Sequence, residues 1–401
     1  MARLPDGDPA PDDGALPPAA LAGLGTRPFG VYVHVPFCAS RCGYCDFNTY
    51  VTGEAEPAGF AEAIAAELRL ARRVLGDALP PAATVFVGGG TPTLLAPGEL
   101  AAILAAVREH VGLAPGAEVT TEANPESVDA RSLAALRQAG FTRISLGMQS
   151  AAPHVLAALD RRHRPGRAVA AAAEARAAGF EQVSLDLIYG TPGERPEDWR
   201  ASLEAALAGA PDHISAYALV VEPGTRLAAQ VHRGELAAPD DDVLAERYEA
   251  ADALLGAAGL GWYEVSNWAR DRSARCRHNL GYWSGGDWWG AGPGAHSHVG
   301  GVRWRNHLHP ERWRSRVAAG RSPAAGREVP GADAARLEHV MLGIRLAEGL
   351  AVDALPQTGR RAARQAADDG LLDPHALDGG RAVLTLRGRL LADRVTLALA
   401  A

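Results

Sequence analysis

Short runs rich in β-branched and apolar residues alternate with alanine-rich stretches along the first half of the chain. The runs cover residues 31–35, 84–87, 118–121, 143–146, 182–188 and 213–219. Strands separated by helices pair in parallel through right-handed crossovers, and repetition of the unit curves the sheet towards a full or partial barrel. In such barrels the chemistry lies at the carboxyl ends of the strands. The sequence therefore predicts an α/β fold, a partial (β/α)6 barrel with its site at one mouth.

The same pattern divides the chain into segments. Residues 1–28 are rich in Pro, Asp and Ala with few large apolar groups, which predicts a disordered leader. We expect the barrel over residues 29–235, an accessory region with an aromatic and histidine motif over 236–331, and a C-terminal domain over 332–401. Helical stretches followed by an apolar alternation predict that this last domain is helical and winged-helix-like. It lacks a dense basic face, so packing or partner docking is favoured over DNA binding.

Composition excludes several classes of protein. With 47% hydrophobic and 22% charged residues, the 401-residue chain is typical of a soluble globular protein. A net charge of -7 argues against a general nucleic-acid binder. The sequence contains no apolar run of about 18 residues, and its start is acidic and proline-rich rather than basic and then apolar. We therefore expect no membrane span and a cytoplasmic location.

Three of the four cysteines, Cys38, Cys42 and Cys45, stand within eight residues, far from Cys276. A disulfide framework is disfavoured because it needs an oxidising compartment and a cysteine-dense chain. A structural zinc site normally has four closely spaced ligands, and His34 is the one nearby residue able to complete a set. Thiolates also select iron-sulfur clusters. Three of them leave one iron of a 4Fe-4S cluster open to a ligand, which predicts a reactive cofactor.

Glycine and polar residues fall where the predicted strands end. A glycine turn at residues 88–93 would let backbone amides approach the amino and carboxylate ends of a methionine-like ligand. Glu122 and Asp186 suit ribose hydroxyls or a protonated amine, and Gln149 suits a carboxylate or hydroxyl. Arg161 is able to neutralise a carboxylate. It opens a basic run of four residues that either faces an acidic ligand or begins a solvated helix.

The C-x3-C-x2-C run, with Tyr44 before its last cysteine, resembles the signature of the radical S-adenosylmethionine (SAM) superfamily. From about residue 29 to the end, the chain resembles oxygen-independent coproporphyrinogen III oxidases and their relatives. The segments that carry this resemblance are residues 32–38, 88–93, 122–125 and 185–190. The resemblance implies a 4Fe-4S cluster on Cys38, Cys42 and Cys45. It also implies SAM contacts at Tyr32, Tyr44, Gly89, Gly90, Thr91, Glu122, Gln149, Arg161 and Asp186.

Two branches of that family differ directly after the cysteine run. The oxidases have a further cysteine two positions beyond it, where this chain has Phe47. Phenylalanine cannot perform the chemistry of a thiol, so oxidative decarboxylation of porphyrinogen propionates becomes the alternative reading. The Cys-Asp-Phe-Asn ending resembles HemW-type heme chaperones, which bind heme and hand it to acceptor proteins. A third hypothesis is a scaffold whose metal is structural.

The second half of the chain contains a motif suited to heme. Five of the eight tryptophans lie between residues 262 and 289, and heme needs an apolar aromatic pocket, an axial ligand and partners for its propionates. The resemblance to the chaperone branch implies heme contacts at His278, Tyr282 and Trp283. Cys276 and His296 are further candidates, Arg275 and Arg277 suit the propionates, and a hydrogen-bonded core histidine is the plain alternative for His278.

The expected cofactors are thus a 4Fe-4S cluster, SAM and heme. The expected partners are heme and heme-acceptor proteins, with peripheral contact to membrane-bound acceptors left open. Neither nucleic acid nor a membrane span is expected.

Overall fold

The computed structural model describes residues 7–51, 53, 57–161 and 164–401. Its strands, in chain order, are β1 Phe29–Val35, β2 Phe37–Cys38, β3 Tyr50–Val51, β4 Ala82–Gly89, β5 Leu113–Ala123, β6 Arg143–Gln149, β7 Gln182–Tyr189, β8 His213–Ala218, β9 Gly261–Glu264, β10 Asn267–Ala269, β11 Asp287–Ala291, β12 His296–Val299, β13 Val302–Asn306, β14 Ala324–Glu328, β15 Leu350–Ala351 and β16 Arg381–Ala382. Its helices are α1 Pro18–Ala22, α2 Phe60–Leu75, α3 Pro97–His110, α4 Ala130–Ala139, α5 Pro153–Ala158, α6 Arg167–Ala177, α7 Pro196–Ala208, α8 Arg226–His232, α9 Asp241–Ala257, α10 Arg277–Trp283, α11 Pro310–Ala318, α12 Ala332–Gly343, α13 Gln357–Asp368, α14 Pro374–Asp378, α15 Leu386–Leu390 and α16 Ala392–Ala400.

One large sheet organises the molecule. Its strand order is β14-β13-β12-β11-β1-β4-β5-β6-β7-β8-β10-β9. The strands from β11 to β8 in this order pair in parallel, and the flanking pairs are antiparallel. In the register of β1, Val31 lies between Val85 of β4 and Trp289 of β11. The six strands predicted from the sequence are confirmed, as is the α/β partial-barrel class.

Alternation along each strand separates core from site. In β1, Val31, Val33 and Val35 are fully buried in the hydrophobic core, with Ile64 and Leu68 of α2 in the same cluster. The residues between them in β1 point to the opposite face, since successive side chains of a strand alternate. In a parallel sheet covered by helices the outer face is apolar, so the polar residues of the strands are directed into the barrel.

The helices follow the expected amphipathic spacing. In α2 the buried residues include Ile64, Leu68, Ala71 and Leu75, which recur every three or four positions and therefore share one face. Helix α4 begins at a capping box in which Asp129 accepts a hydrogen bond from the backbone of Ser132. Helix α4 then ends at a glycine with φ of 111°, a conformation that favours glycine.

The accessory region extends the barrel sheet at both edges. Strands β11–β14 add to the β1 side, and β10 with β9 add to the β8 side. Three tryptophans of this region, Trp268, Trp289 and Trp313, are buried in the main core. Two of the five tryptophans that suggested a heme pocket, Trp268 and Trp289, therefore fill the interior.

The amino-terminal segment is ordered where the structure describes it. The backbone of Asp8 pairs with that of Arg327 in β14 as an antiparallel β-bridge, and the Ser322 amide donates to the Asp12 carbonyl. Helix α1 follows, with Ala20 buried. The predicted disordered leader is therefore corrected over residues 7–28, because the chain pairs with a sheet edge that the sequence does not reveal. Residues 1–6 of that prediction lie outside the described residues.

The C-terminal module has a core of its own. Val340, Ile344, Leu372 and Leu399 belong to this second cluster, beside the two-stranded β15-β16 sheet. Helices joined to a small sheet agree with the winged-helix-like prediction. Arg389 fastens the module to α9 through two contacts, of 2.8 and 2.9 Å, to the Asp252 carboxylate. Within the described part of the chain, no helix has the length and apolar character needed to cross a membrane.

Candidate functional site

A cavity of about 1010 Å³ opens at the carboxyl ends of the central parallel strands. Most of the cofactor candidates meet there. Those that line the cavity are Cys38, Cys42, Tyr44, Cys45, Gly89, Gly90, Thr91, Glu122, Gln149, Arg161 and Asp186. The candidates outside its lining are Tyr32, His278, Tyr282 and Trp283. The cluster and SAM candidates other than Tyr32 thus share one chamber.

The three clustered cysteines line this chamber together. Cys38 ends β2 and is buried, whereas Cys42 and Cys45 are half-buried in the loop that follows. Burial raises the pKa of the Cys38 thiol to about 11; a hydrogen bond from Thr91 lowers it, and the nearby Cys45 and Cys42 thiols raise it. The pKa of Cys45 is also raised, chiefly by burial. Because both the burial and the mutual repulsion penalise thiolates, the trio suits a cationic iron core that would offset them.

The chemistry of three thiols suits an iron-sulfur cluster. Within the described ranges, no three His, Cys, Asp or Glu side chains are grouped closely enough to hold one ion. His34, the histidine nearest the cysteine run in sequence, has both ring nitrogens hydrogen-bonded to protein groups. Three thiols at a cavity match a 4Fe-4S cluster with one iron free of protein ligands.

The glycine turn packs against the cysteine loop. Gly89 has φ of +114°, and a Cβ on it would lie 2.7 Å from the His34 ring. A Cβ on Gly90 would lie 2.5 Å from the Phe37 carbonyl oxygen and 2.9 Å from the Cys38 sulfur. The Gly90 amide donates to the Val35 carbonyl at 2.8 Å. Here the glycines permit close approach of two protein segments, and this amide has a protein acceptor rather than a ligand.

Two buried carboxyl groups, those of Glu122 and Asp186, line the cavity. Glu122 accepts a hydrogen bond from the Gly89 amide at 2.9 Å. Burial raises the pKa of Glu122 to about 7, the Gly89 bond lowers it, and the charge of Asp186 raises it. The pKa of Asp186 is raised by burial and held down by hydrogen bonds from Ser215 and Ser145. Such a pair suits a ligand that offers hydroxyl donors or a positive charge.

Gln149 and Arg161 form the next part of the wall. Gln149 has φ of 62° beside a β-bulge at the end of β6, which turns its side chain at the cavity. Arg161 donates to the Gly147 carbonyl at 3.1 Å and approaches the Cys42 sulfur at 3.6 Å, while its buried Nε has no partner. Of the rest of the basic run, Arg162 and His163 lie outside the described residues, and Arg164 pairs with Glu126 at 3.2 Å.

Tyr32 lies outside the cavity lining and contacts the cysteine loop through His34. The His34 Nε2 lies 2.9 Å from the Asn48 carbonyl oxygen, which can only accept, so Nε2 carries the proton. Nδ1 then accepts from the Tyr32 hydroxyl, also at 2.9 Å. Burial lowers the pKa of His34 to about 4, so the ring is neutral at pH 7. Asn48 in turn donates to the Pro293 and Leu308 carbonyls at 3.0 and 2.8 Å, which ties the loop to the accessory region.

Several polar residues of the cavity are not singled out by the sequence motifs. They occupy inward positions on β6 and β8, and they are Arg143, Ser145, His213 and Ser215. The signal that would find them is the period-2 alternation of polar and apolar residues in these strands. Isolated polar residues become a cluster only when the barrel brings the strands together.

Helix α10 carries the histidine motif into the bottom of the barrel. The Glu118 carboxylate accepts from the backbone amides of Arg277 and His278 at 2.9 and 3.0 Å, which caps the helix. His278 is buried, with Thr84 Oγ1 2.8 Å from Nδ1 and the Tyr282 hydroxyl 2.7 Å from Nε2. Burial lowers its pKa to about 3. In this arrangement neither ring nitrogen is available to iron, which agrees with the core-histidine alternative.

The remaining heme candidates are divided between the floor and the outside of the barrel. Cys276 lines the cavity, with its sulfur 3.7 Å from a Glu118 oxygen. Burial and Glu118 raise the pKa of this thiol. Arg275 pairs with Glu348, and Arg277 donates to the Gly116 carbonyl at 2.6 Å. His296 lies in β12, outside the cavity lining. The structure therefore does not bring these residues together as one heme pocket.

Comparison with known proteins identifies the family. Residues 32–206 match the family model of the Radical SAM superfamily, which implies a 4Fe-4S cluster and SAM as cofactors. Among solved structures, coproporphyrinogen III oxidase from Escherichia coli, described as a radical SAM enzyme, superposes with a TM-score of 0.79. That match covers 97% of this chain and 94% of the oxidase at 22% identity, so it supports the fold.

Comparison with sequence relatives identifies the family within this superfamily. The chain is 58% identical to a Mycobacterium tuberculosis protein named heme chaperone HemW, over 94% of this chain and 95% of the relative. It is 37% identical to the Escherichia coli protein of that name, over 68% of this chain and 70% of the relative. The Bacillus subtilis counterpart is 34% identical over 69% and 72%. The chain belongs to the HemW family of radical SAM proteins.

Proposed function

We propose that this protein is a heme chaperone, which binds heme and transfers it to acceptor proteins. The observation that carries the proposal is the 58% identity, over nearly the whole chain, to a protein named for that function. Phe47 supports it, because it stands where the oxidase resemblance calls for another thiol and its side chain is exposed at the cavity. The oxidase reading is correspondingly weakened.

The barrel would hold the cluster and SAM. Cys38, Cys42 and Cys45 are the proposed cluster ligands, since they line the cavity as a trio and gain from a cationic partner. When bound, the cluster supplies an electron and an open iron site. The proposed SAM contacts are Tyr44, Gly89, Gly90, Thr91, Glu122, Gln149, Arg161 and Asp186, with Tyr32 acting indirectly through His34. Arg161 adds positive charge beside the Cys42 sulfur.

The partners follow from the same proposal. Heme is the cargo, heme-acceptor proteins receive it, and peripheral contact with membrane-bound acceptors is compatible with that role. A cytoplasmic location, expected from the sequence, belongs to the proposal as well.

The test is an anaerobic comparison on the reconstituted protein. Heme is titrated by absorbance, the loaded protein is mixed with a heme-free acceptor, and decarboxylation of coproporphyrinogen III is assayed separately with SAM and a reductant. Stoichiometric heme binding followed by transfer, without porphyrinogen product, is the expected result. Product formation without specific heme binding would favour the oxidase. A zinc-loaded protein without affinity for iron or SAM would favour a structural metal.

A further inference from the structure

Three large apolar side chains that the fold leaves exposed surround one cavity. Phe47 is 53% exposed, Val220 is 59% exposed and Tyr217 is 43% exposed, and all three line the cavity that holds the cysteine run. Leu94 and Leu219 add apolar surface to the same lining. Apolar surface gathered at one concave site is typical of a place where a ligand or partner binds, so this rim is a candidate binding surface.

The rim is built by two segments that are fastened to each other. Phe47 follows the cysteine run, and Val220 lies just beyond β8, so the two lie in the loops that follow the first and last of the six predicted strands. The Leu227 amide donates to the Gly43 carbonyl at 2.8 Å, which links the second segment to the cysteine loop. Tyr44 also packs against an apolar cluster that contains Leu227. The apolar rim is therefore preformed.

Charge at the mouth selects among apolar ligands. Arg41 is exposed and lines the cavity. Two carboxylates of the lining are balanced by arginines: Glu126 pairs with Arg164 at 3.2 Å, and Asp160 pairs with Arg226 at 3.3 Å. Asp46 and Glu222 belong to the lining too. An apolar wall with one exposed arginine, Arg41, on its margin suits a flat hydrophobic ligand that carries a carboxylate on one edge.

We propose that heme binds at this rim, with its porphyrin face on Phe47 and Val220 and its propionates towards Arg41, rather than at His278. The site deepens the proposed function and rests on it. It lies on the wall of the chamber that contains the cysteines, whereas both ring nitrogens of His278 are engaged within the barrel. Contact through one ring face and the carboxylates leaves the other face of the porphyrin open, so a ligand of the acceptor can bind the iron from that side before the chaperone releases the heme.

A pair of matched substitutions tests the site. Val220→Asp places a charge on the rim, and Val329→Asp does the same at a residue that is 60% exposed but lies outside the cavity lining. Each cluster-reconstituted protein is titrated with heme, and iron content and melting temperature are measured in parallel. Val220→Asp should weaken heme binding at least tenfold and Phe47→Ala about fivefold, with iron content and melting temperature kept. Val329→Asp should bind heme as the wild type does.

The outcomes separate this site from the function on which it rests. If the wild type binds heme and both Val220→Asp and Phe47→Ala bind it with the same affinity, the rim site is overturned. The chaperone proposal is then unaffected. An equal loss in Val329→Asp also overturns the rim site, since heme would then adhere to any exposed apolar residue. Failure of the wild type itself to bind heme overturns the chaperone proposal and the rim site together.

Discussion

At the scale of single residues, the sequence predicts which residues reach the cavity better than it predicts the hydrogen bonds that each residue makes. The cysteine run and Asp186 reach the predicted cavity, because a motif at the end of a strand has a fixed place in a parallel barrel. His278 shows where such reasoning stops. Its partner Thr84 is 194 positions away in sequence, so only the folded barrel reveals that the ring is saturated with hydrogen bonds.

Replacing His278 tests its environment directly. His278→Ala removes a buried ring and leaves the Thr84 and Tyr282 hydroxyls without their partner. We expect the free energy of unfolding to fall by about 2–4 kcal/mol, from the cavity and the unsatisfied groups. Urea unfolding of the cluster-free protein measures this, with the exposed His375→Ala as control. Lost heme affinity at unchanged stability would instead make His278 a heme contact.

At the scale of elements, the strands of the barrel follow from the sequence and the edge strands do not. Predicted runs such as 182–188 coincide with β7, because apolar residues that pack in the core alternate along it with polar residues such as Asp186, which lines the cavity. The short strands β11–β14 are rich in Trp, Gly and His, and they gain strand structure only by pairing with a sheet already formed. The same composition suggested a pocket, so the aromatic core of this region was not predictable from the pattern alone.

The bond between the cysteine loop and these edge strands yields a second prediction. Asn48→Ala removes both side-chain bonds to the Pro293 and Leu308 carbonyls, whereas Tyr50→Phe removes a single bond of 3.2 Å to Leu308. A loss of about 1 kcal/mol in holding the loop closed corresponds to roughly fivefold faster opening. We expect Asn48→Ala to bind the cluster but to lose iron to a chelator about fivefold faster. Tyr50→Phe should stay close to the wild type, and equal rates in all three proteins would show that the anchor is irrelevant.

At the scale of the whole molecule, buried carboxylates make the fold sensitive to pH. Burial raises the pKa of Glu67, Glu122, Glu194 and Glu264 to about 7 in each case. Between the ordinary value near 4.5 and about 7, the folded protein binds more protons than the unfolded chain. The contribution of these carboxyls to stability is therefore greatest at the acid side of this window and declines as pH rises through it. The buried neutral histidines His34 and His278 contribute in the opposite sense below pH 6.5, because the unfolded chain binds the protons that they do not.

Melting of the cluster-free protein checks the sign. The quantity to measure is the melting temperature at pH 5.5 minus that at pH 7.5, to which Glu122 makes a positive contribution. Glu122→Gln, whose side chain is neutral throughout, should reduce that difference while its amide oxygen still accepts from Gly89. The same difference in Glu122→Gln and in the wild type would contradict the assignment of Glu122 as neutral in the folded protein at pH 5.5.

The pairing of β1 with β11 also has a consequence for folding during synthesis. Strand β1 and the cysteine loop leave the ribosome early, but β11 is made some 250 residues later, and Asn48 waits 245 positions for Pro293. Domains fold from the amino terminus as they emerge. For most of translation, the edge of β1 that pairs with β11 is therefore unpaired, and the cysteine loop lacks its bonds to the accessory region. Iron delivered during that interval would encounter the three thiols on a loop that is not yet anchored. We therefore expect stable cluster binding only after the complete chain has left the ribosome.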